Sequence, residues 1–143
     1  MAGGTVIVLY VDDSKDDAFF FGRALKKISP ETEWRHVFGT HEAKYYLRGE
    51  ERFSQRERYP FPETIVCDAK MPDGTGVELL RWVRAQPQLK AVSFCLFTEL
   101  EENVRRQLGE ELAGTVCLFR KPSNPGERPG VVLEMLEWHS EQI

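Results

Sequence analysis

The chain has 143 residues, of which 41 % are hydrophobic and 29 % charged, the composition of one globular domain with enough apolar material for a core. Its net charge of −4, with no block of Lys or Arg, argues against direct binding to nucleic acid. The first apolar run, residues 6–11, is too short to cross a bilayer and follows no basic segment, so we expect a cytoplasmic protein without membrane insertion.

The first part of the chain predicts two strand–helix units. A strand over residues 5–11 precedes a helix that Ser14 can cap, with apolar Phe21 and Leu25 at helical spacing behind the cap. A second strand over residues 34–38 leads to a short helix marked by Ala43 and Leu47. The charged segment that follows, residues 48–63, ends in Tyr-Pro-Phe-Pro and is interpreted as a long surface loop.

The rest of the chain predicts three more units of the same kind. Strands over residues 64–67, 93–98 and 116–120 each precede a segment whose apolar residues recur every three or four positions. These positions are Val77, Leu80 and Val83, then Val104, Leu108 and Leu112, and finally Val132, Met135, Leu136 and His139. Pro87 ends the third helix, and the proline-rich residues 122–129 form a stiff connector before the last one.

Strand and helix alternate five times, which predicts an α/β fold with a mainly parallel sheet and helices on both faces. Right-handed crossovers leave few topologies for such a sheet. We expect one domain over residues 1–143, with no separate output domain. In open parallel sheets the binding crevice lies beyond the carboxyl ends of the strands, so the residues that follow each strand are the candidate site.

Polar side chains follow four of the five predicted strands. Asp12 and Asp13 follow the first, Asp68 the third, Thr98 closes the fourth, and Lys121 follows the fifth. Three carboxylates this close repel one another, so either one stays protonated or a hard divalent cation such as Mg²⁺ lies among them. A lysine and a hydroxyl beside them suit a phosphoryl group, and an aspartate can become an acyl phosphate.

Other readings of single residues remain open at this level. An Asp-Asp pair at the end of a strand often only caps the next helix, so the argument depends on all five residues together. Cys67, Cys95 and Cys117 form no close pair in the sequence, and we interpret them as small buried residues.

The residues that carry a family resemblance are Val11-Asp12-Asp13, the stretch 68–76 (Asp-Ala-Lys-Met-Pro-Asp-Gly-Thr-Gly), Thr98 and Lys121-Pro122. In this pattern the chain resembles the receiver domain of bacterial response regulators over essentially its whole length. The resemblance implies a CheY-like, flavodoxin-like fold with a doubly wound five-stranded parallel sheet in strand order 2-1-3-4-5. It also implies a two-component or phosphorelay role.

Carried over by position, the resemblance implies that Asp68 accepts phosphate from a histidine of a sensor kinase or a phosphotransfer protein. Mg²⁺ would be held by the side chains of Asp13 and Asp68, by the backbone carbonyl of Lys70, and by Asp12 through a water. Thr98 and Lys121 would contact the phosphoryl oxygens, and the Lys121–Pro122 peptide bond would be a candidate for the cis form. The protein would catalyse only its own phosphorylation and dephosphorylation.

Four features depart from the family pattern. Glu99 stands where a small residue is usual, Lys70 occupies a variable position that tunes hydrolysis, and Leu118 replaces a common aromatic that responds to activation. The segment 48–63 is longer than usual and, beside Tyr45-Tyr46-Leu47-Arg48-Gly49, resembles small regulators that serve phytochrome-type kinases.

The expected partner is a downstream protein or a second copy, bound through the fourth helix, the fifth strand and the fifth helix. Two rival functions remain open. A degenerate receiver would bind partners without phosphorylation, as Glu99 and Leu118 suggest. A Mg²⁺-dependent phosphohydrolase with an aspartyl intermediate would usually carry a second acid two residues after the nucleophile, where this chain has Lys70.

Overall fold

The computed structural model describes residues 6–99 and 101–141, and its centre is a five-stranded parallel sheet. The strands are β1 (Ile7–Val11), β2 (Glu33–Val37), β3 (Thr64–Cys67), β4 (Ser93–Thr98) and β5 (Cys117–Arg120). Their spatial order is β2-β1-β3-β4-β5, with every neighbouring pair parallel. The predicted fold class and strand order are therefore confirmed.

Five helices connect and cover the strands. They are α1 (Lys15–Ile28), α2 (Thr40–Arg48), α3 (Gly76–Ala85), α4 (Glu101–Ala113) and α5 (Arg128–Glu141). The predicted cap of α1 is present, because the Ser14 hydroxyl accepts a hydrogen bond from the Asp17 N–H at 3.1 Å. Gly109 interrupts α4 with a φ of 70°, a left-handed value that glycine adopts without steric cost.

The helices form two layers, each with its own hydrophobic core. Residues of α2, α3 and α4 pack on one face of the sheet, and residues of α1 and α5 pack together on the other. All residues of β3 and β4 are buried, as expected of strands covered on both faces. Three successive phenylalanines occupy positions 19–21 of α1; Phe21 lies in the core, whereas Phe19 is exposed.

The segment 48–63 differs from its prediction as a plain surface loop. It contains a 3-10 helix, Glu51–Ser54. Phe53 of this helix is buried in the core that α2, α3 and α4 form with one face of the sheet, here called the α2–α4 core; the core on the other face is called the α1–α5 core. The Phe53 ring lies 5.0 Å from Tyr46 and 5.1 Å from Tyr59, measured between ring centroids. The high charge of the segment suggested solvent exposure, but these aromatic contacts anchor it to α2.

The turn after β3 is a short antiparallel hairpin that the sequence analysis did not predict. Lys70–Met71 pairs with Gly74–Thr75, and Thr75 then caps α3 in a capping box with Glu78. Two-residue strands leave too little periodicity to be recognised from sequence.

The expectation of a cis Lys121–Pro122 bond is wrong, since the peptide bonds within residues 6–99 and 101–141 are all trans. The trans form is the lower-energy state of most X–Pro bonds. In this geometry Lys121 still continues the sheet ladder, because its N–H donates to the Thr98 carbonyl at 2.9 Å. Within the same residues, no helix combines the length and the apolar character that crossing a bilayer requires.

Candidate functional site

Three carboxylates meet at the carboxyl edge of the sheet, where β1 and β3 lie side by side. Asp12 and Asp13 follow β1 and Asp68 follows β3, and the backbone N–H of Asp68 donates to the Val11 carbonyl at 2.9 Å. One carboxylate oxygen from each aspartate lies within 4.8 Å of the others. Asp12 is buried, Asp68 is partly buried and Asp13 is exposed, so the cluster opens toward solvent on one side.

Lys121 brings a positive charge into this cluster from the end of β5. Its Nζ donates to Asp12 Oδ2 at 2.8 Å and lies 3.3 Å from Asp68 Oδ2. Burial alone would lower the pKa of Lys121, but the charges of Asp12 and Asp68 outweigh it and raise the pKa. The lysine is therefore a fixed ammonium at the centre of the site.

Burial raises the pKa of Asp68, and the nearby Lys121 ammonium, which lowers it, compensates only in part. The Asp12 carboxylate adds to the increase, whereas the Ala69 N–H, which donates to Asp68 Oδ1 at 2.7 Å, works against it. The positive charge near Asp68 is therefore too small to offset the cost of burying its ionised form. An added cation would favour its ionised form.

Asp12 is held by several hydrogen bonds. The Tyr10 hydroxyl donates to Asp12 Oδ2 at 2.8 Å, and the Ser14 N–H donates to Asp12 Oδ1 at 2.9 Å. The His36 Nε2 lies 2.8 Å from the backbone oxygen of Asp12. With Lys121 also on Oδ2, both carboxylate oxygens are engaged, which fixes Asp12 and limits its capacity for a direct metal bond.

Two charged residues of the site were missed in the sequence analysis. Asp17, on the first turn of α1, accepts from Lys121 Nζ at 2.8 Å through Oδ2 and from Arg128 at 2.7 Å through Oδ1. Burial alone would raise the pKa of Asp17, but the bonds from Lys121 and Arg128 lower it. Asp17 lies four residues after Asp13, close enough to have been considered with it, whereas no sequence pattern indicates Arg128.

Arg128 links the site to the start of α5. It is buried, with its guanidinium carbon 5.5 Å from the Phe20 ring centroid and 5.6 Å from that of Phe97. Its Nε and Nη1 atoms find no hydrogen-bond partner in the described part of the chain. The carboxylate of Asp17 is therefore the main anionic partner of this buried cation.

Comparisons with known proteins place this geometry in context. No protein-family model matches the chain, and no curated protein matches it. Among solved structures, the phosphorylated cyanobacterial phytochrome response regulator RcpA matches with a TM-score of 0.83 at 22 % identity, over 98 % of this chain and 97 % of that one. The chemotaxis response regulator CheY4 of Vibrio cholerae matches with a TM-score of 0.70 at 25 % identity, over 95 % and 99 %.

The chain has the receiver fold of response regulators. The predicted resemblance to single-domain receivers is thereby confirmed. A third match is the Mn²⁺-bound form of the response regulator Rcp1, with a TM-score of 0.76 at 24 % identity, over 92 % of this receiver and 95 % of that one.

The remaining predicted site residues lie around the carboxylates of the receiver. Thr98 ends β4 and is buried, and its backbone carbonyl accepts the hydrogen bond from the Lys121 N–H. Lys70 and Glu99 both have exposed side chains. Leu118 packs with the α2–α4 core and the adjacent Phe119 with the α1–α5 core, so the two side chains point to opposite faces of the sheet.

Proposed function

We propose that this receiver is a phosphoacceptor, in which Asp68 accepts a phosphoryl group from a phosphohistidine of a sensor kinase or phosphotransfer protein. The observation that supports it is the convergence of four groups at one edge of the sheet. Carboxylate oxygens of Asp12, Asp13 and Asp68 lie within 4.8 Å of one another, and Lys121 Nζ lies 3.3 Å from Asp68 Oδ2.

In the transfer, an oxygen of ionised Asp68 attacks the phosphorus of the phosphohistidine. The new O–P bond forms as the P–N bond breaks, and the imidazole leaves and takes up a proton from solvent. Lys121 neutralises charge on the phosphoryl oxygens, and the Thr98 hydroxyl donates to one of them. The acyl phosphate then biases the receiver toward a conformation that a partner recognises.

We further propose Mg²⁺ as the metal of this site. Asp13 and Asp68 would bind it directly, together with the backbone carbonyl of Lys70. Asp12 would act through a water, because Tyr10, Lys121 and the Ser14 N–H already engage its oxygens. The bound cation would supply charge neutralisation for the phosphoryl group.

The test is phosphorylation by a small acyl phosphate in the presence of Mg²⁺. Intact-mass spectrometry should show the addition of one phosphoryl group, which is absent from Asp68→Ala and retained in Asp16→Asn. Asp16 is a suitable control because it is an exposed acid of α1 outside the cluster. A folded wild-type protein that takes up no phosphate would refute the phosphoacceptor role.

The position of Glu99 favours one alternative, a degenerate receiver that binds its partners without phosphorylation. This exposed carboxylate directly follows Thr98 and adds negative charge near the entrance of the site. Such a protein would bind its partner equally well as wild type and as Asp68→Ala. Turnover of phosphate esters would instead favour the phosphohydrolase, which the Lys70 position argues against.

We propose that the protein is cytoplasmic and that its partner is a sensor histidine kinase of the phytochrome type, on the basis of the similarity to RcpA and of the extended segment 48–63. The output surface would be α4, β5 and α5, where a downstream protein or a second copy of the chain would bind. On this surface Leu133 of α5 is an exposed large apolar side chain.

A further inference from the structure

Two of the three cysteines face each other across neighbouring strands. Cys95 of β4 and Cys117 of β5 lie directly opposite each other in the register of the two strands. Both belong to the α1–α5 side of the sheet, whereas Cys67 lies in the core on the opposite side. All three are free thiols.

The two paired thiols differ in their access to solvent. Cys95 is 1 % exposed, whereas Cys117 is half-buried on an edge strand. Because Cys95 is almost fully buried and Cys117 is only half-buried, a small hydrophilic oxidant can reach Cys117 more readily than Cys95.

The surroundings also favour ionisation of Cys117 over Cys95. The neighbouring Cys95 thiol lowers the pKa of Cys117, burial opposes this, and the backbone N–H of Leu118 lowers the pKa further, against the Glu134 carboxylate of α5. The Cys117 thiol in turn raises the pKa of Cys95, and burial adds to the increase. Because the thiolate is the reactive form, Cys117 is the nucleophile of the pair and Cys95 the resolving thiol.

We propose that Cys95 and Cys117 form an oxidation site that reacts with hydrogen peroxide and closes to a reversible disulfide. The Cys117 thiolate attacks one peroxide oxygen, the O–O bond breaks, and the hydroxide that leaves takes a proton to become water. Cys117 is then a sulfenic acid. The Cys95 sulfur attacks it, the S–O bond breaks, and the released hydroxide takes the Cys95 proton. Two thiols are oxidised, and a peroxide is reduced to two waters.

The backbone spacing permits this bond. Neighbouring strands lie about 4.8 Å apart, which falls within the Cα separation of roughly 4.4–6.8 Å that disulfides span. Strand β5 is at the edge of the sheet, so it can adjust its position without displacing a further strand. The bond would link β4, which ends at Thr98, to β5, which leads to Lys121. The thiol chemistry itself does not depend on the phosphoacceptor role.

The experiment uses the full-length, reduced protein treated with hydrogen peroxide in its native state. After quenching, denaturation and alkylation, the number of free thiols per chain should fall from three to one. The intact mass before alkylation should drop by two hydrogen atoms, and peptide mapping should recover a Cys95–Cys117 link. A thiol reductant should restore the original thiol count.

Single substitutions identify the roles of the thiols. Cys67→Ser is the matched control and should still form the link, because Cys67 lies on the other face of the sheet. Cys95→Ser should stop at a sulfenic acid on Cys117, which a sulfenic-acid-specific probe captures, and Cys117→Ser should react at least about tenfold more slowly. Three free thiols after treatment of the native wild type, or a link through Cys67 or between two chains, would overturn the proposal.

Discussion

Replacing Asp17 by Asn should destabilise the receiver by about 2 kcal/mol, because it leaves the buried Arg128 without its charged partner. Breaking a fully buried ion pair by removing one member costs about 3–5 kcal/mol. The Arg128 side chain is 5 % exposed and that of Asp17 is 23 % exposed, so solvent screening reduces the cost below this range, to about 2 kcal/mol. The Asn carbonyl also retains one hydrogen-bond acceptor.

Urea unfolding of wild type and Asp17→Asn measures this difference directly. The midpoint should fall at an unchanged denaturant slope, and the thermal midpoint should fall by roughly 4–8 °C for a domain of this size. Asp16→Asn is the matched control, since it removes the same charge from an exposed neighbouring position. It should change the free energy of unfolding by less than about 0.5 kcal/mol.

A second substitution separates loss of the ion pair from other effects of the Asn. Arg128→Met removes the buried charge but keeps an apolar side chain between Phe20 and Phe97. If the unpaired guanidinium causes the loss, the double variant should be more stable than Asp17→Asn alone. The reasoning is refuted if Asp17→Asn behaves like Asp16→Asn, or if Arg128→Met lowers the stability of the Asp17 variant further.

Three further predictions concern the carboxylate cluster and its surroundings. The pKa of Asp68 is raised in the folded state, so its negative charge opposes folding at neutral pH. At pH 7, Asp68→Asn should therefore unfold at a higher urea concentration than wild type. This difference in urea midpoint should disappear as the pH falls through the folded-state pKa toward the usual aspartate value near 3.8. Gly76→Ala should cost about 1–3 kcal/mol, because an added Cβ would collide with the backbone oxygen of Asp68, whereas Gly114→Ala, with nothing within 4 Å, should be nearly neutral. Mg²⁺ at ten times its dissociation constant should raise the free energy of unfolding of wild type by about 1.4 kcal/mol. If the same Mg²⁺ concentration stabilises Asp13→Asn by the same amount, Asp13 does not bind the metal directly.

Most of the sheet and of the acceptor cluster could be predicted from the sequence because each strand carries its own signal. The buried strands β3 and β4 appear as short apolar runs, and a parallel topology brings the residues after them to one edge. Asp12, Asp13, Asp68 and Lys121 could be predicted as neighbours for this reason alone. The geometry depends only on where each strand ends.

The features that were missed depend on contacts between segments far apart in the chain. Arg128 follows a proline-rich connector, and only the packing of α5 against α1 brings it to Asp17, 111 residues earlier. Phe53 lies in a segment whose charge indicated a solvent-exposed loop, but Tyr46 and Tyr59 bury it. Cys95 and Cys117 seemed unrelated because strand register cannot be obtained from residue spacing.

The balance of charge in the site explains why a divalent cation is the natural partner of a phosphoryl group here. When ionised, Asp12, Asp13, Asp17 and Asp68 supply four negative charges against the two positive charges of Lys121 and Arg128, a deficit of two. Phosphorylation replaces the single charge of ionised Asp68 with the roughly 1.5 to 2 negative charges of a phosphoryl group, so the deficit would grow by up to about one. Lys121 is already shared among three carboxylates and Arg128 is bound to Asp17, so neither can offset the new charge without giving up an existing bond. A divalent cation held by Asp13 and Asp68, as proposed above, would offset most of this deficit while leaving both of these contacts in place.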